Sequence, residues 1–509
     1  MYSTIRTALV QGIQGLPIWV EVDISTGMPA FDMVGNLSPE VREAQERVKT
    51  ALHNCGIVLP PKRVTINLSP GNLRKSGTGF DLPIAVALLI AMGLAVEDKC
   101  KDMLFIGELS LNGTILPVNG ILPIVLDAKA NGVTKFVLPR ENHEEAMLVK
   151  DIQIHSFLSL KDLIAFLNDE VLYENPKYNI EETGIAEKKV DFREVNGQKL
   201  LRRACEVSAA GMHNMLMIGP PGAGKTMLSE RMATILPPLT EEEQLELSKI
   251  YSVCGLLSKR HGLICDRPFR NPHHTISAIW LAGGGANPKP GEISLAHSGV
   301  LFLDELPEFQ KQAIEILRQP MEDHEINIVR ANTSVTYPAG FLLLAAMNPC
   351  NCGYYPDMQK CRCTQAGRRR YYQKISQPIL DRIDICVEAS ALSYEELTMA
   401  NKNESSEEIR KRVVACQKRI QYRYKEENFT HNSQIPSSKI KEYCKLGEKE
   451  EKYMENVFKK EQLTGRTFHK ILRVARTIAD LDFCENIQLK HLQEAVCYRN
   501  VTERYWGGA

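Results

Sequence analysis

The chain has 509 residues, enough for roughly three folding units at the usual ~150 residues each, so a single small binding module is excluded. Its 62 basic and 62 acidic residues give a formal net charge of zero, which leaves only local patches to attract a polyanion. No uncharged apolar run approaches the ~20 residues of a membrane span and the amino terminus lacks a signal-peptide layout, so we expect a cytoplasmic protein, no membrane partner and mostly reduced cysteines.

Residues 1–170 are predicted to form a compact α/β domain. Apolar runs such as Val64–Leu68 and Ile121–Ala130 alternate with glycine, proline and asparagine. The segments KSGTGFDLPIAVALL and DMLFIGELSLNGTILPVNGILPIVLDAKA resemble the proteolytic domain of Lon protease. That resemblance implies a ribosomal S5 domain 2-like fold, in a family whose nucleophilic serine is activated by a lysine.

The resemblance to Lon carries the fold but not the catalytic dyad. Asp81 stands at the serine position and Leu122 at the lysine position, and a carboxylate and an alkyl chain cannot perform this chemistry. Ser76 lies five residues too early to replace the serine. Because a fold does not by itself imply a function, we expect this domain to serve assembly or DNA guidance.

The rest of the chain divides into three further segments. The acidic, polar stretch 171–191 is predicted to be a linker. Residues 391–509 read as a helical domain rich in Glu, Lys, Arg and Leu. Between them, 192–390 is predicted to hold a parallel sheet covered on both faces, since consecutive apolar residues recur at wide spacing in Met215–Ile218, Val300–Leu303, Phe341–Ala346 and Ile385–Val387.

The octapeptide GPPGAGKT fits the phosphate-loop pattern GxxxxGK[ST], between an apolar strand and a helix. Its glycines let backbone N–H groups surround phosphate oxygens, Lys225 can reach the β- and γ-phosphates, and Thr226 can bind Mg²⁺. A glycine-proline loop that only caps a helix is the alternative. The predicted nucleotide site comprises Gly219, Pro220, Pro221, Gly222, Ala223, Gly224, Lys225 and Thr226.

Two later apolar strands end in polar side chains. The strand GVLFL is followed by Asp304 and Glu305, which supply a Mg²⁺ partner and a base that polarises the attacking water. The strand FLLLAAM is followed by Asn348, an amide suited to orient that water. A solvated acidic turn is the alternative for the first strand, and an ordinary strand-ending Asn for the second.

Together, GPPGAGKT, VLFLDE and AAMN resemble an AAA+ ATPase, and the text from RPFRNPHH to AAMNPC is similar to the magnesium-chelatase-like ATPases of the ComM/YifB branch. The resemblance covers nearly the whole chain. It implies a hexameric ring that binds ATP and Mg²⁺ between subunits, with Arg382 as the arginine finger and Arg466 of the helical lid as the sensor-2 arginine. Arg473 and Arg476 share the predicted helix of Arg466, and a salt bridge is the alternative for Arg382 and Arg466.

Residues 325–338, EINIVRANTSVTYP, alternate apolar and polar on both sides of an Ala-Asn turn and predict a β-hairpin. The family resemblance implies a pre-sensor-1 hairpin aimed into the ring pore, where Arg330 and Asn332 would contact DNA phosphates without reading bases. A plain surface hairpin is the alternative. The glycine-rich loop 282–287 is similar to the helix-2 insert that lines such pores.

Four cysteines form C-x-C…C-x-C within fourteen residues. This spacing favours a structural Zn²⁺ site, against free thiols or a redox-labile pair. The predicted ligands are Cys350, Cys352, Cys361 and Cys363.

Two basic stretches are candidates for DNA contact. In the first, Arg368, Arg369 and Arg370 are followed by Tyr371 and Tyr372, which would add stacking to phosphate attraction. The second, 410–425, has seven basic residues and no acid. Solvated helix faces are the alternative for both stretches.

The sequence as a whole predicts an ATP-hydrolysing hexameric motor on single-stranded or branched DNA, and the family resemblance implies branch migration in recombination and natural transformation. The rivals are a chelatase-type ATPase that drives metal insertion and a protein-remodelling ATPase. An ATP-dependent protease is disfavoured by Asp81 and Leu122, and a protein that binds ATP without hydrolysing it is disfavoured by Glu305.

Overall fold

The computed structural model describes residues 1–171, 173, 190–257, 262–285, 288–330, 333–391, 394 and 403–507, with no side-chain description at 330 and 333. The predicted linker 171–191 therefore lies almost entirely outside the described residues. None of the helices in the described ranges is long and apolar enough to cross a membrane.

The first α/β unit is built on a seven-stranded sheet in the order β3-β4-β2-β1-β5-β8-β9. Its first two strands form a long antiparallel hairpin, and the strands β5, β8 and β9 add to it in parallel. The strands of this unit are β1 Tyr2–Gln11, β2 Gln14–Ser25, β3 Ala30–Val34, β4 Arg63–Ser69, β5 Met103–Phe105, β6 Glu108–Leu109, β7 Ile115–Leu116, β8 Lys135–Pro139 and β9 Gln153–Phe157.

Helices cover this sheet with apolar faces. Every residue of α2 is buried, because this helix lies in the middle of the domain core. The helices are α1 Pro39–Asn54, α2 Asp81–Ala91, α3 Glu97–Cys100, α4 Ile121–Ala130, α5 His143–Ala146 and α6 Leu160–Leu167.

The second unit is built on a five-stranded parallel sheet in the order β11-β14-β17-β10-β18. The inner strands are buried at consecutive positions, which confirms the predicted parallel sheet covered on both faces. The strands are β10 Met215–Ile218, β11 Phe269–Arg270, β12 Gly283–Gly284, β13 Lys289–Pro290, β14 Val300–Leu303, β15 Glu325–Arg330, β16 Thr333–Pro338, β17 Leu342–Met347 and β18 Ile385–Glu388.

The remaining helices flank this sheet and form the carboxyl-terminal part of the chain. They are α7 Lys199–Gly211, α8 Lys225–Ile235, α9 Glu241–Val253, α10 Ala278–Ala282, α11 Glu292–Leu295, α12 Lys311–Glu315, α13 Pro320–Asp323, α14 Gln365–Tyr372, α15 Gln377–Leu380, α16 Ser406–Arg423, α17 Ile440–Tyr443, α18 Glu448–Lys460, α19 Gly465–Leu481 and α20 Leu489–Trp506. The last helices share one buried cluster with α7, α8 and the sheet, so the carboxyl-terminal helices pack directly on the nucleotide-site unit.

Candidate nucleotide site

The phosphate loop connects β10 to α8 and therefore lies at the carboxyl end of β10 in the parallel sheet. Gly222 and Gly224 have φ angles of +77° and +79°, a conformation in which glycine avoids the steric cost of a side chain. Lys225 is buried, and its Nζ donates to the carbonyl oxygens of Gly219 and Pro220 at 2.6 and 3.0 Å. Burial lowers the pKa of Lys225, which the nearby carboxylates oppose.

A Mg²⁺ position is defined by two side chains from different elements. The hydroxyl of Thr226, at the start of α8, donates to Oδ2 of Asp304 at 2.7 Å. Asp304 directly follows β14, and its other oxygen accepts the backbone N–H of Glu305 at 2.9 Å. A hydroxyl and a carboxylate are the oxygen ligands that Mg²⁺ takes beside nucleotide phosphates, so these residues fit the ion.

Glu305 is held in an unusual backbone conformation, with φ at +52°. Non-glycine residues with positive φ occur where surrounding structure compels them, often at functional sites. Oε2 of Glu305 lies 3.3 Å from Nδ1 of His274, whose ring meets Phe309 edge-on. His274 thus orients the carboxylate that would polarise the attacking water.

His274 is a residue that the sequence reasoning missed. It lies on the loop after β11, and β11 pairs in parallel with β14, the strand that carries Asp304 and Glu305. Because the carboxyl ends of parallel strands meet at one sheet edge, the His-His pair in RPFRNPHH could have been assigned to the site from its position after a strand.

The structure joins Asn348 to the phosphate loop. Asn348 directly follows β17, the neighbour of β10, and its Oδ1 accepts from Nζ of Lys225 at 3.2 Å. The phosphate loop, Asp304, Glu305 and Asn348 therefore all lie at the carboxyl ends of the parallel strands.

The four predicted metal-ligating cysteines are also brought together. Their sulfur atoms all lie within 4.8 Å of one another, with Cys350 Sγ at 3.3 Å from Cys352 and 3.8 Å from Cys361. A tetrahedral zinc with Zn–S bonds of ~2.3 Å places its sulfurs about 3.8 Å apart, so the geometry fits that ion. The backbone N–H of Tyr354 lowers the pKa of Cys352 to about 6, whereas desolvation and the neighbouring sulfurs raise the pKa of Cys361 and Cys363, so the distances between the sulfur atoms are what support the metal site.

This cysteine cluster touches the phosphate loop. Gly353 has a φ of +81°, and a Cβ built on it would lie 2.7 Å from the ring of Pro221. Cys350 is two residues after Asn348, and the hydroxyl of Tyr372 donates to the intervening carbonyl of Pro349 at 2.7 Å. The cluster therefore supports both the loop and the amide that faces it.

The predicted arginine finger, Arg382, and the predicted sensor-2 arginine, Arg466, lie near each other where β18 begins. Arg382 precedes β18, and its guanidinium pairs with Glu322 at 2.7 Å and donates to the carbonyl of Pro378. Arg466 is the second residue of α19, its side chain is 80% exposed, and its Nη1 lies 3.7 Å from Oδ2 of Asp381. Both guanidinium groups therefore lie near the amino-terminal end of β18, whereas the phosphate loop follows the carboxyl-terminal end of the neighbouring strand β10.

The other two arginines of α19 differ from Arg466 in their surroundings. Arg476 is buried, and it donates to Asp480 and to the carbonyls of Glu485 and Cys484. Arg473 is half-buried on the same helix. Arg466 is thus the one of the three with a largely solvent-facing side chain.

The predicted hairpin over 325–338 is confirmed. Strands β15 and β16 pair from Glu325 opposite Pro338 to Arg330 opposite Thr333, with one face buried and the other exposed. The backbone of Arg330 ends the first strand, whereas Asn332 lies outside the described residues, as do 286 and 287 of the glycine-rich loop. The described part of that loop contains β12, which pairs antiparallel with β13 just beyond the loop.

The first basic stretch is built differently from the prediction. Tyr371 and Tyr372 are buried, so the expected stacking of these rings on bases is wrong. Arg368 donates to the carbonyl of Cys363 at 2.8 Å, and its guanidinium lies 4.5 Å from the ring centre of Tyr355. Arg369 and Arg370 remain exposed on the same helix. Both tyrosines belong to a buried apolar cluster that also contains Tyr505 of α20.

The second basic stretch, on α16, is partly committed to ion pairs. Arg412 pairs with Glu206 and Glu404, and Arg423 pairs with the buried carboxylate of Asp480. These contacts fasten the helix to its neighbours, which matches a structural role for those two arginines.

The Lon-like unit has no catalytic dyad at the corresponding positions. Asp81 is buried and accepts from Arg47 Nε at 2.7 Å and from the backbone N–H of Leu109 at 3.2 Å. Leu122 is fully buried, and its backbone N–H donates to Glu145 at 3.0 Å. A carboxylate paired with an arginine and a packed alkyl chain cannot supply the serine nucleophile and the lysine base of the Lon dyad.

Comparison with known families matches three segments of the chain. Residues 191–397 match the family described as magnesium chelatase, subunit ChlI; residues 20–142 match subunit ChlI of Mg-chelatase; and residues 403–499 match the carboxyl-terminal part of magnesium chelatase subunit ChlI.

Individual relatives extend over almost the full length. The uncharacterized protein YifB of Salmonella typhimurium is 40% identical over 98% of this chain and 97% of its own. The competence protein ComM of Haemophilus influenzae is 38% identical over 96% of this chain and 95% of its own. Lon protease 2 of Bacillus subtilis is 27% identical over 30% of this chain and 27% of its own.

Proposed function

The chain belongs to the magnesium-chelatase-like AAA+ ATPase family of YifB and ComM and is an ATPase, and from that premise we propose that it is a hexameric motor that moves DNA junctions. The observation that supports the ATPase most directly is the convergence of Lys225, Thr226, Asp304 and Asn348 within hydrogen-bond distance, with Glu305 beside them. ATP and Mg²⁺ are the cofactors that this arrangement accepts.

The proposed ring follows from where the arginines lie. Arg382 precedes β18, whereas its own phosphate loop follows the opposite end of the adjacent strand β10, and Arg466 lies beside Asp381, the neighbour of Arg382. A neighbouring subunit that presents this surface to the loop would complete the site, as heterologous contacts around a closed ring allow. In the assembled ring Arg382 stabilises the charge on the transferred phosphate, and Arg466 closes the lid side of the pocket.

The proposed substrate is single-stranded or branched DNA. The β15–β16 hairpin presents Arg330 at its tip, and a relative similar over nearly the whole length is named a competence protein. Phosphate contact by Arg330 and Asn332 at the hairpin, and by Arg369 and Arg370 on α14, would position the strand without reading its sequence. Arg368 contributes instead to the fold of the cysteine loop.

The cysteine cluster is proposed to hold one structural Zn²⁺. All four positions of the tetrahedron are filled by Cys350, Cys352, Cys361 and Cys363, so the ion has no open position for catalysis. Its role is to hold the loop that packs on Pro221 and follows Asn348.

Migration of a four-way DNA junction by wild type and Arg330→Ala tests the motor. We expect wild type to convert the junction to duplex products with ATP, and Arg330→Ala to keep basal ATP hydrolysis while it loses DNA stimulation and migration, because the hydrolytic residues lie elsewhere. The matched control is Arg6→Ala, an exposed arginine on β1.

DNA affinity supplies a second readout for the same variants. Wild-type affinity should fall steeply with salt and depend little on base sequence. Equal migration by Arg330→Ala would remove the hairpin from the mechanism. No migration by wild type on any branched substrate would favour a chelatase-type or protein-remodelling ATPase.

A further inference from the structure

The start of α4 is where the Lon-like unit joins the ATPase unit. Leu122, at the position of the family's lysine, belongs to a buried cluster that also contains Leu247, Ile250 and Tyr251 of α9. One continuous apolar cluster thus spans the two units, and the two should move together, as residues of a single close-packed core do.

Polar contacts at this corner fix the register of the two units. Glu145 is buried, and one carboxylate oxygen accepts both the backbone N–H of Leu122 at 3.0 Å and the hydroxyl of Ser252 at 2.5 Å. The backbone N–H of Gly120 donates to the carbonyl of Ser252 at 3.1 Å. Separation of the two units would cost free energy, because the buried carboxylate of Glu145 would lose the hydrogen bond from Ser252 and the two groups would be left without these partners.

A third close approach completes the joint. Gly255, just after α9, has a φ of +69°, and a Cβ built there would lie 2.6 Å from Oδ1 of Asn119. Asn119 and Gly120 form the turn that precedes α4. We call this set of contacts between the start of α4 and the end of α9 the seat.

Helix α4 and the β1–β2 hairpin connect the seat to the β15–β16 hairpin through close contacts. Helix α4 packs on the β1–β2 hairpin so closely that a Cβ on Gly15 would lie 2.6 Å from the backbone of Ile124. At the same turn, a Cβ built on Gly12 would lie 3.0 Å from the side chain of Val335 on β16. Ile13, beside it, packs against the interdomain cluster and also against the cluster that contains the hairpin's buried side chains.

We propose that the Lon-like domain is a brace: the start of α4, with Leu122 where the Lon dyad has its lysine, forms the seat on the ATPase, and the β1–β2 turn holds the β15–β16 hairpin in place. Leu122 is then a packing residue of the joint and Ile13 a positioning residue for the hairpin. The description of the hairpin as the DNA-contacting element rests on the proposed function, whereas the brace itself does not.

Hydrogen exchange of the full-length chain, read by mass spectrometry, tests the brace. Ile13→Ala should speed exchange of the amides in β15 and β16 about tenfold and disturb α9 less than Leu122→Ala does, because Ile13 is partly buried and packs on the interdomain cluster from the turn, whereas Leu122 lies inside that cluster. Ile13→Leu should retain wild-type exchange. Leu122→Ala should speed exchange in both α9 and the hairpin, because it loosens the seat.

The matched control is Leu88→Ala, an equally buried leucine in the Lon-like unit's own core on α2. It should speed exchange in α2 and leave the hairpin protected. Hairpin exchange in Ile13→Ala equal to wild type, or a hairpin loosened as much by Leu88→Ala as by Leu122→Ala, would overturn the proposal. If Leu122→Ala fails to fold, the Ile13 pair decides.

ATP hydrolysis of the same variants separates this proposal from the function on which it builds. Ile13→Ala should retain basal hydrolysis and lose its stimulation by single-stranded DNA. A wild-type protein whose hydrolysis ignores DNA would contradict the proposed motor, while the exchange measurements would still decide whether the domain braces the hairpin.

Discussion

Replacement of Arg382 by alanine tests whether a neighbouring subunit completes the nucleotide site. Ile385, the first residue of β18, pairs with Met215 at the start of β10, and the phosphate loop begins at Gly219 beyond the other end. At about 3.3 Å per residue, four steps separate the two ends by about 13 Å along the strands. Arg382 lies further back still, beyond the reach of its side chain to its own loop.

The expected loss is large in turnover and small in stability. An arginine finger is worth about 10³–10⁵ in kcat, or about 4–7 kcal/mol of the activation barrier. The ion pair lost with Glu322 contributes only about 0–1 kcal/mol, because that glutamate is 60% exposed. We therefore expect Arg382→Ala to fold and bind ATP normally while the assembled protein turns over at least ~10³-fold more slowly.

Mixed assemblies give the decisive assay. In an equal mixture of Arg382→Ala and Lys225→Ala subunits, about one quarter of the interfaces combine an intact loop with an intact arginine, given random head-to-tail contacts. Steady-state hydrolysis should then recover to about that fraction of wild type. The control replaces Arg382→Ala by the double variant, which forms no complete site with Lys225→Ala. No recovery after native mass spectrometry has confirmed mixed rings would refute the reasoning.

Other predictions address the remaining parts of the site. Lys225→Ala should abolish ATP binding, whereas Glu305→Gln should retain binding and slow hydrolysis by about 10²-fold or more; a near wild-type rate for Glu305→Gln would contradict its assignment. His274→Ala should lower kcat about tenfold with KM unchanged, because it positions Glu305 without touching ATP; unaltered kcat would show that the carboxylate needs no partner. Elemental analysis of reduced, chelator-free protein should find about one zinc per chain, and Cys350→Ser should lose the metal and weaken ATP binding in calorimetry. Absence of zinc from wild type would retire the metal site.

The phosphate loop and the strands could be predicted from the sequence because their signals are local. The phosphate-binding residues from Gly219 to Thr226 are contiguous in the sequence, so the motif is recognisable without the tertiary structure. The buried parallel strands are apolar at consecutive positions, and the 325–338 hairpin alternates apolar and polar residues. Both patterns can be read from the sequence without knowing which elements become neighbours. The closeness of Asp304 and Asn348 to the loop followed from their positions after such strands.

Features that depend on which elements become neighbours could not be predicted. His274 could have been placed at this end of the sheet from its position after β11, but its contact with Glu305 requires β11 to pair with β14, and the spacing of the motifs does not determine the strand order. The arginines and tyrosines of α14 predicted a DNA-binding surface, but their composition does not determine which face of the helix is buried. Packing of the cysteine loop and α20 buried both tyrosines.

The replacement of the Lon dyad illustrates both cases. Asp81 and Leu122 could be recognised from the sequence as unable to catalyse, since catalysis requires particular functional groups. That Leu122 instead packs in the seat against α9 was decided by the tertiary structure alone. An alkyl side chain carries no directional information, so what it packs against depends on the whole arrangement of elements around it.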